Sequence, residues 1–459
     1  MSNSNLIIKE NERPKLGKWI VLSFQHVFAM FSATVLVPML TGLPISVALF
    51  ASGVGTLIYI LCTKGKVPIY LGSSFAYITY IVTASTMSGG GLGAALTGLL
   101  IVGLIYVVVA IIIKFVGSAW INKILSPIVI GPTIIVIGLT LASSACANAG
   151  LVANGDYRPI IVAILTMVIV AIFAIKGKGM LKIIPFLLGI VGGYIIAILL
   201  GLIPNGEYGK IVNFQPVVDV LKDPSKWFGL PAFRFLGFED KHLFGDIYIV
   251  KINFAAAISV IPLAFVTMCE HIGDHKVLGS ITGKDYLEDP GLHRTLLGDG
   301  IATGVAALIG GPANTSYGEN TSVVGISKVG SVYVTGGAAV IAIILSFCNV
   351  ITTLIATIPN CVMGGVCLIL YGFIASNGLK TLFDAKVDMT ETRNLIIISV
   401  MLVVGLGGAV IEYGYISFSG MALSAVIGIL LDQFLPGKKK KEELNEENRE
   451  ELDKPDSLE

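Results

Sequence analysis

Charge is what this sequence has least of. Its 459 residues include 31 Lys and Arg and 30 Asp and Glu, 13% of the chain, against roughly 25% in an ordinary soluble protein. Fifteen of those 61 charges fall in residues 438–459, so the remainder is poorer still. Apolar residues make up 54% and mean hydropathy is +0.85. The shortage excludes a soluble globular enzyme, a disordered chain and a secreted disulfide scaffold together, and leaves a protein most of which lies in lipid. A net charge of +1 gives no field with which to attract nucleic acid or an acidic substrate. Paired cysteines are lacking too: Cys62, Cys146, Cys269, Cys348, Cys361 and Cys367 are scattered through apolar runs and read as small core residues rather than bridges or metal ligands. The N-terminus is polar up to Lys18, and the run from Trp19 lacks a small-residue cleavage site. It is read as a retained span.

What is present is a series of long uncharged runs. No Asp, Glu, Lys or Arg occurs in residues 19–63, 67–113, 124–155, 183–206 or 329–379, and a helix needs ~20 apolar residues to cross the bilayer. Divided at Pro, Gly and polar clusters, the chain yields fourteen segments, beginning near residues 19, 44, 68, 92, 125, 159, 183, 252, 292, 317, 335, 359, 394 and 416. An even number places both termini on one side. Under this count 24 of the 31 basic residues fall on the side of the termini, which the positive-inside rule makes cytoplasmic. Six of the seven others lie in one loop, 204–251, where six acids match them. The expected layout is a cytoplasmic N-terminus (1–18), a first seven-span repeat (19–203), an extracytoplasmic loop (204–251), a second repeat (252–435) and a charged cytoplasmic tail (436–459). The Lys438 to Lys441 run reads as an anchor near anionic lipid.

The two halves repeat. Phe24-Gln25-His26-Val27 in the first span and Cys269-Glu270-His271-Ile272 in the eighth are 245 residues apart. Pro68-Ile-Tyr-Leu-Gly-Ser-Ser-Phe75 in the third answers Pro312-Ala-Asn-Thr-Ser-Tyr-Gly-Glu319 in the tenth, and Ser126-Pro127 to Gly131-Pro132 in the fifth answers Ile358-Pro359 to Gly364-Gly365 in the twelfth. Seven is odd, so the second copy is inverted, as in secondary transporters. The third and tenth segments open on Pro followed by Gly, Ser, Thr and Asn. Extended backbone at membrane depth survives only where protein or a polar cavity covers it, so the two stretches are expected to pair as short antiparallel strands. The half-helices that follow then aim their N-terminal amides at one point.

Ionisable groups within spans cost roughly 2.5 to 3.5 kcal/mol each on insertion scales. Those present are His26, Glu270, His271, Asp274, Asp299 and Glu319. Two carboxylates facing backbone amides suit a neutral ligand offering both N–H donors and carbonyl acceptors, and a nucleobase is such a ligand. Asp274, four residues after Glu270, shares its helical face. Neighbouring acids disfavour simultaneous ionisation, which suits proton symport.

The stretch Pro312-Ala-Asn-Thr-Ser-Tyr-Gly-Glu-Asn-Thr-Ser-Val-Val-Gly-Ile-Ser-Lys328 resembles the signature region of the nucleobase/ascorbate transporter (nucleobase:cation symporter) family, and within it most closely that of the bacterial uracil permeases. Gln25-His26, Tyr70 to Phe75, Glu270-His271 and Gly298-Asp299-Gly300 match as well, and the resemblance runs to about residue 435. It implies an all-α polytopic membrane protein of fourteen spans as a 7+7 inverted repeat, a core domain (spans 1–4 and 8–11) moving against a gate domain (spans 5–7 and 12–14), and a homodimer through the gate domains. It also implies that Glu270 and Glu319 bind the N–H groups of uracil. Backbone amides at Phe75, Tyr317 and Gly318 then meet its carbonyls, with the Phe75 ring packed on it. An acid at position 319 is similar to uracil carriers, where xanthine and urate carriers more often have Gln. Ser322, Ser327 and Lys328 are conservative departures from the signature. Asp274 stands where some uracil permeases carry a His implicated in proton coupling, and His275 lies ~100° around the helix from it.

Asp274, Asp299, His26, Asn320 and Tyr371 form a second set, for proton coupling or support of the site. Two readings stay open for three of them: His26 as a core histidine or a support, Asp299 as a functional acid or a holder of the core around Glu319, Tyr371 as gate-side lining or aromatic packing. Ser88-Gly-Gly-Gly-Leu-Gly lacks the strand and Lys of a phosphate loop and reads as a connection into the fourth span. The expected activity is import of uracil by proton symport through alternating access in the cell membrane. No enzyme activity, cofactor or resident metal is expected, and the partners expected besides uracil are membrane lipid and a second copy of the chain, not nucleic acid. A xanthine or urate permease, or an anion transporter on the same scaffold, is the rival.

Overall fold

A computed structural model describes residues 6–124, 126–152, 155–203, 210–413 and 416–436. The expected tail anchor, Lys438 to Lys441, lies outside the described residues. The first half runs α1 (Leu16–Thr41), α2 (Ile45–Cys62), β1 (Leu71–Ser73), α3 (Ile78–Thr86), α4 (Leu92–Val116), α5 (Ala119–Ile124), α6 (Pro127–Thr140), α7 (Ala142–Asn148), α8 (Arg158–Lys176), α9 (Met180–Ile183) and α10 (Pro185–Gly201). Between the halves come α11 (Gln215–Leu221), β2 (Arg234–Gly237), β3 (Lys241–Phe244) and β4 (Ile247–Lys251). The second half runs α12 (Ile261–Thr282), α13 (Leu292–Leu308), β5 (Asn314–Ser316), α14 (Gly318–Ser327), α15 (Val332–Ser346), α16 (Asn349–Ala356), α17 (Asn360–Asp384), α18 (Thr392–Leu406), β6 (Val410–Tyr413), β7 (Ile416–Ser419) and α19 (Gly420–Phe434). By length and composition α1, α2, α4, α6 with α7, α8 and α17 are able to cross a bilayer, and α10, α15, α18 and α19 are shorter apolar helices.

Most helices start where uncharged runs place them, as at Ile45, Leu92 and Leu292. The eighth segment differs. Expected near residue 252, its helix begins at Ile261, because residues 252–260 are coil and turn held by Asn253, whose side chain donates to the carbonyls of Gly89 at 2.8 Å and Gly90 at 3.0 Å. The loop before it is also ordered beyond what hydropathy signals, into a mixed sheet with β4 between β2 (parallel) and β3 (antiparallel).

The third and tenth segments meet in the middle of the bundle. β1 and β5 pair antiparallel, Leu71 opposite Ser316, Gly72 opposite Thr315 and Ser73 opposite Asn314, and the ladder is extended by Ser74 N to Ala313 O (2.9 Å) and Tyr317 N to Tyr70 O (3.1 Å). A two-stranded ribbon has two open edges, and in lipid each must find partners. Side chains of the flanking helices supply them. Thr56 Oγ1 accepts from Leu71 N at 2.9 Å, Ser52 Oγ donates to Leu71 O at 2.9 Å, and Thr303 Oγ1 donates to Asn314 O at 2.8 Å. Gly72 is required by packing: a Cβ there would stand 2.4 Å from the Tyr317 ring.

Around the ribbon, α2 packs on α13 and α15, α4 on α13, and α1 on α15. Small residues let these helices approach, a Cβ on Gly103 falling 2.7 Å from Gly300 O, the usual means of close packing where water provides no hydrophobic drive. A second group joins α17 to α6, α7 and α8, α8 to α10, and α18 to α6 and α19. It is tied at one end by a buried ion pair, Arg393 Nη2 to Asp432 Oδ1 at 2.9 Å, with Ser126 Oγ donating to Asp432 Oδ2 at 2.8 Å.

Candidate functional site

The ribbon hands the chain to two half-helices. Phe75 opens a single 3-10 turn (Phe75–Tyr77) that leads into α3, and Gly318 is the first residue of α14. Amides in the first turn of a helix have no preceding helical carbonyl to bond, and the helix dipole adds partial positive charge there. Phe75 and Gly318 therefore bring two donors to one region. Tyr317 departs from the expectation, since its amide is already committed to Tyr70 O and its hydroxyl donates to Ser73 O at 2.8 Å while accepting from Thr34 Oγ1 at 3.2 Å. Its side chain and amide hold the ribbon together, which leaves Phe75 and Gly318 as the candidate donors. The Phe75 ring is half-buried and packs against two apolar clusters, one with Met30, Tyr70 and Tyr317, the other with Leu36, Val362 and Tyr371.

The acids come from α12 and α14. Pro262 to Cys269 are buried or half-buried, yet Glu270 is exposed, followed along α12 by exposed Gly273, Lys276, Val277 and Ser280. On α14 the exposed residues are Gly318, Ser322 and Ile326, with Glu319 half-buried. Spacings of three and four put each set on one helix face. On α12 the exposed face thus runs from Glu270 toward the C-terminal end of the helix, and on α14 it runs from Gly318 toward the same end. Glu270 lies within Coulombic range of both Glu319 and Asp299. Asp274 accepts from Ser316 Oγ at 2.9 Å, which fastens α12 to β5, and it sits beside Gly318.

The second set is brought together in part. Asn320 Nδ2 donates to His26 Nδ1 and to His26 O, both at 3.1 Å, so His26 and Asn320 join α1 to α14 directly behind Glu319. Tyr371 is buried on α17 next to Cys367. Asp299 does not reach Glu319 through a hydrogen bond. Its Oδ2 is 2.7 Å from His271 Nδ1, and on the next turn His275 Nε2 is 2.5 Å from the Tyr59 hydroxyl. His271 is among the ionisable groups read from the spans but has no role in the sequence-based set, and His275 and Tyr59 are not singled out for the site, although the His-x-x-x-His spacing on a span was there to be read.

Buried polar atoms without a partner are costly and mark places where a ligand or water completes the structure. Among the described residues these include Ser74 Oγ, His271 Nε2, Asp299 Oδ1, Asn314 Oδ1, Thr315 Oγ1 and Asn320 Oδ1. All six belong to the ribbon, the half-helix entries or the helices against them. Two clefts elsewhere, one beside Asp156 and Arg158 and one beside Thr79 and Met421, contain none of the candidate residues.

This geometry accompanies a clear kinship. A uracil permease of Bacillus caldolyticus is 47% identical over 96% of this chain and 98% of its own length, and a uracil permease of Bacillus subtilis (strain 168) is 45% identical over the same shares. Among solved structures, the transmembrane domain of a cyanobacterium bicarbonate transporter, BicA, superposes with a TM-score of 0.59 over 93% of this chain and 100% of that one, at 15% identity, which is a likeness of fold. The profile of the Permease family, named for xanthine and uracil permeases, matches residues 17–413, and the chain is an integral membrane transporter belonging to that family.

Proposed function

We propose that this protein imports uracil by proton symport through alternating access. The observation that carries the reading is the meeting of two membrane-embedded carboxylates, Glu270 and Glu319, with the amides of two half-helices, Phe75 and Gly318, at the ribbon crossing. A uracil ring offers two N–H donors and two carbonyl acceptors, and acids opposite amides are complementary to both. A carboxylate accepting an N–H gives a charge-assisted hydrogen bond, roughly twice as strong as a neutral one. An anion would face both acids, so the fold shared with a bicarbonate transporter does not extend to its cargo here. The uracil permease relatives support the base, and Glu319 in place of Gln favours uracil over xanthine or urate.

The architecture supports the same reading. In this reading the chain has fourteen spans in two inverted repeats of seven, with the ribbon near the bilayer midplane, α1–α4 and α12–α15 as a core and α6–α10 and α17–α19 as a gate. With both termini cytoplasmic, the C-terminal ends of α12 and α14, toward which the exposed faces beyond Glu270 and Gly318 run, are cytoplasmic ends. Motion of the core past the gate would expose the site to one side of the membrane and then to the other. Dimerisation through the gate belongs to this reading, as does residence in the cell membrane.

The test is uptake of labelled uracil by vesicles with and without an imposed pH gradient, with xanthine as competitor. The expected result is gradient-stimulated uptake blocked by cold uracil and little affected by xanthine. Uptake inhibited by xanthine but not by excess uracil refutes the assignment.

A further inference from the structure

On α12, beside Glu270, two histidines stack. His271 and His275 are both buried, with ring centroids 4.0 Å apart and planes inclined by 32°. Their nitrogens are engaged differently. His275 Nδ1 is 2.6 Å from His271 O, and a carbonyl only accepts, so Nδ1 carries the proton. In the neutral ring His275 Nε2 is then a lone pair, which accepts from the Tyr59 hydroxyl. Both nitrogens of His275 are thus committed to partners, and neither is vacant. His271 Nδ1 donates to Asp299 Oδ2 at 2.7 Å, while His271 Nε2 and Asp299 Oδ1 are buried without partners. The pair therefore holds an ionisable carboxylate, an imidazole already oriented by it, and one vacant lone pair on the outer nitrogen.

We propose that the His271–Asp299 pair is the proton-holding site of the carrier. A proton taken up at Nε2 converts the imidazole to an imidazolium, its Nδ1–H still bonded to Asp299, and release from Nε2 restores the neutral ring. No other bond changes. The inference rests on the proton-symport reading above and names the group that executes it. Other titratable groups lie near the pair: Glu270 and Asp274 along α12 and Tyr59 from α2 are within Coulombic range of Asp299, and Glu319 on α14 is within that range of Glu270 and Asp274. Tyr77, before α3, and Tyr106 on α4 approach through Thr267, at 2.7 and 2.8 Å. A protonated pair is neutral overall and leaves Glu270 free to hold its charge against the base. An unprotonated pair places a second negative charge near it. Proton and base thus favour each other's binding, and by linkage the effect is reciprocal.

The experiment uses the full chain reconstituted in liposomes, with Asp299→Asn and His271→Gln. Three quantities are measured: uracil counterflow without gradients, accumulation driven by an imposed pH gradient, and uracil Kd between about pH 5.5 and 8, the range in which histidine titrates. Both variants are expected to keep counterflow within about threefold, to lose gradient-driven accumulation by tenfold or more, and to bind uracil with a flattened pH dependence. Asp299→Glu, which restores the carboxylate, recovers part of the accumulation. Wild-type accumulation and pH dependence in Asp299→Asn overturn the proposal, as does loss of binding and counterflow in both variants together. Accumulation lost only in Asp274→Asn moves the proton to Asp274 and also overturns it. A wild-type protein that exchanges uracil but ignores the pH gradient refutes symport itself, a separate outcome.

Discussion

Gly72→Ala is the smallest change that should disable this protein without touching an acid. The added Cβ falls 2.4 and 2.5 Å from two carbons of the Tyr317 ring and 2.8 Å from Thr34 Oγ1. Ordinary contact therefore requires something to move by about 1 Å, and overpacking of this kind costs typically 1–3 kcal/mol. The ring cannot yield freely, because its hydroxyl donates to Ser73 O and accepts from Thr34 Oγ1. Giving up both bonds costs about 2 kcal/mol. Either route leads to a loss of roughly 2–3 kcal/mol. If the strands part instead, the half-helix entries at Phe75 and Gly318 shift with them, and a 1 Å misplacement in a binding site is worth on the order of 100-fold. The assay is thermal melting in detergent together with uracil binding, for Gly72→Ala, Tyr317→Ala and the double variant. Most of the clash needs the ring, and in Tyr317→Ala the Thr34 hydroxyl loses its Tyr317 partner and is free to turn from the new Cβ, so adding Gly72→Ala to Tyr317→Ala should cost little, a coupling of about 2 kcal/mol. Equal damage from Gly72→Ala with and without the ring, or wild-type melting and affinity in the single variant, would refute the reasoning.

Two further outcomes are expected. Glu319→Gln should abolish uracil uptake while the protein still reaches the membrane, since replacing a carboxylate that receives an N–H forfeits a charged hydrogen bond of about 1.5–3 kcal/mol; near-normal transport by this variant would remove Glu319 from the site. Asp432→Ala should destabilise the end of the bundle where α6, α18 and α19 meet by about 3–5 kcal/mol, because it leaves the buried Arg393 guanidinium without its carboxylate, and melting indistinguishable from wild type would contradict that account.

Much of the site was legible in one dimension because the bilayer makes composition decisive. A charge is so costly in lipid that its absence marks spans and its presence marks chemistry, so Glu270, Asp274, Asp299 and Glu319 stood out by isolation, and the Pro, Gly, Ser and Asn content of segments three and ten announced broken helices. The start of α12 was misplaced because residues 252–260 are uncharged in sequence yet leave the helix for contacts with Gly89 and Gly90. The mixed sheet of β2, β3 and β4 was missed because a short strand in a charged loop carries no hydropathy signal.

The sequence by itself determined the environment, the starts of most of the apolar helices and the short list of ionisable groups in apolar segments, all properties that each residue expresses through its own transfer free energy. Only the tertiary structure decided which of them meet. That Leu71 pairs with Ser316, that the Tyr317 amide is taken by Tyr70, that Asn320 reaches His26 and that Asp299 turns to His271 rather than Glu319 all depend on which helix faces come into contact. Those faces are selected by close approaches such as Gly103 on Gly300, where a missing side chain lets two backbones come together. Hydrogen bonds, being short and directional, follow from that approach and cannot be read before it.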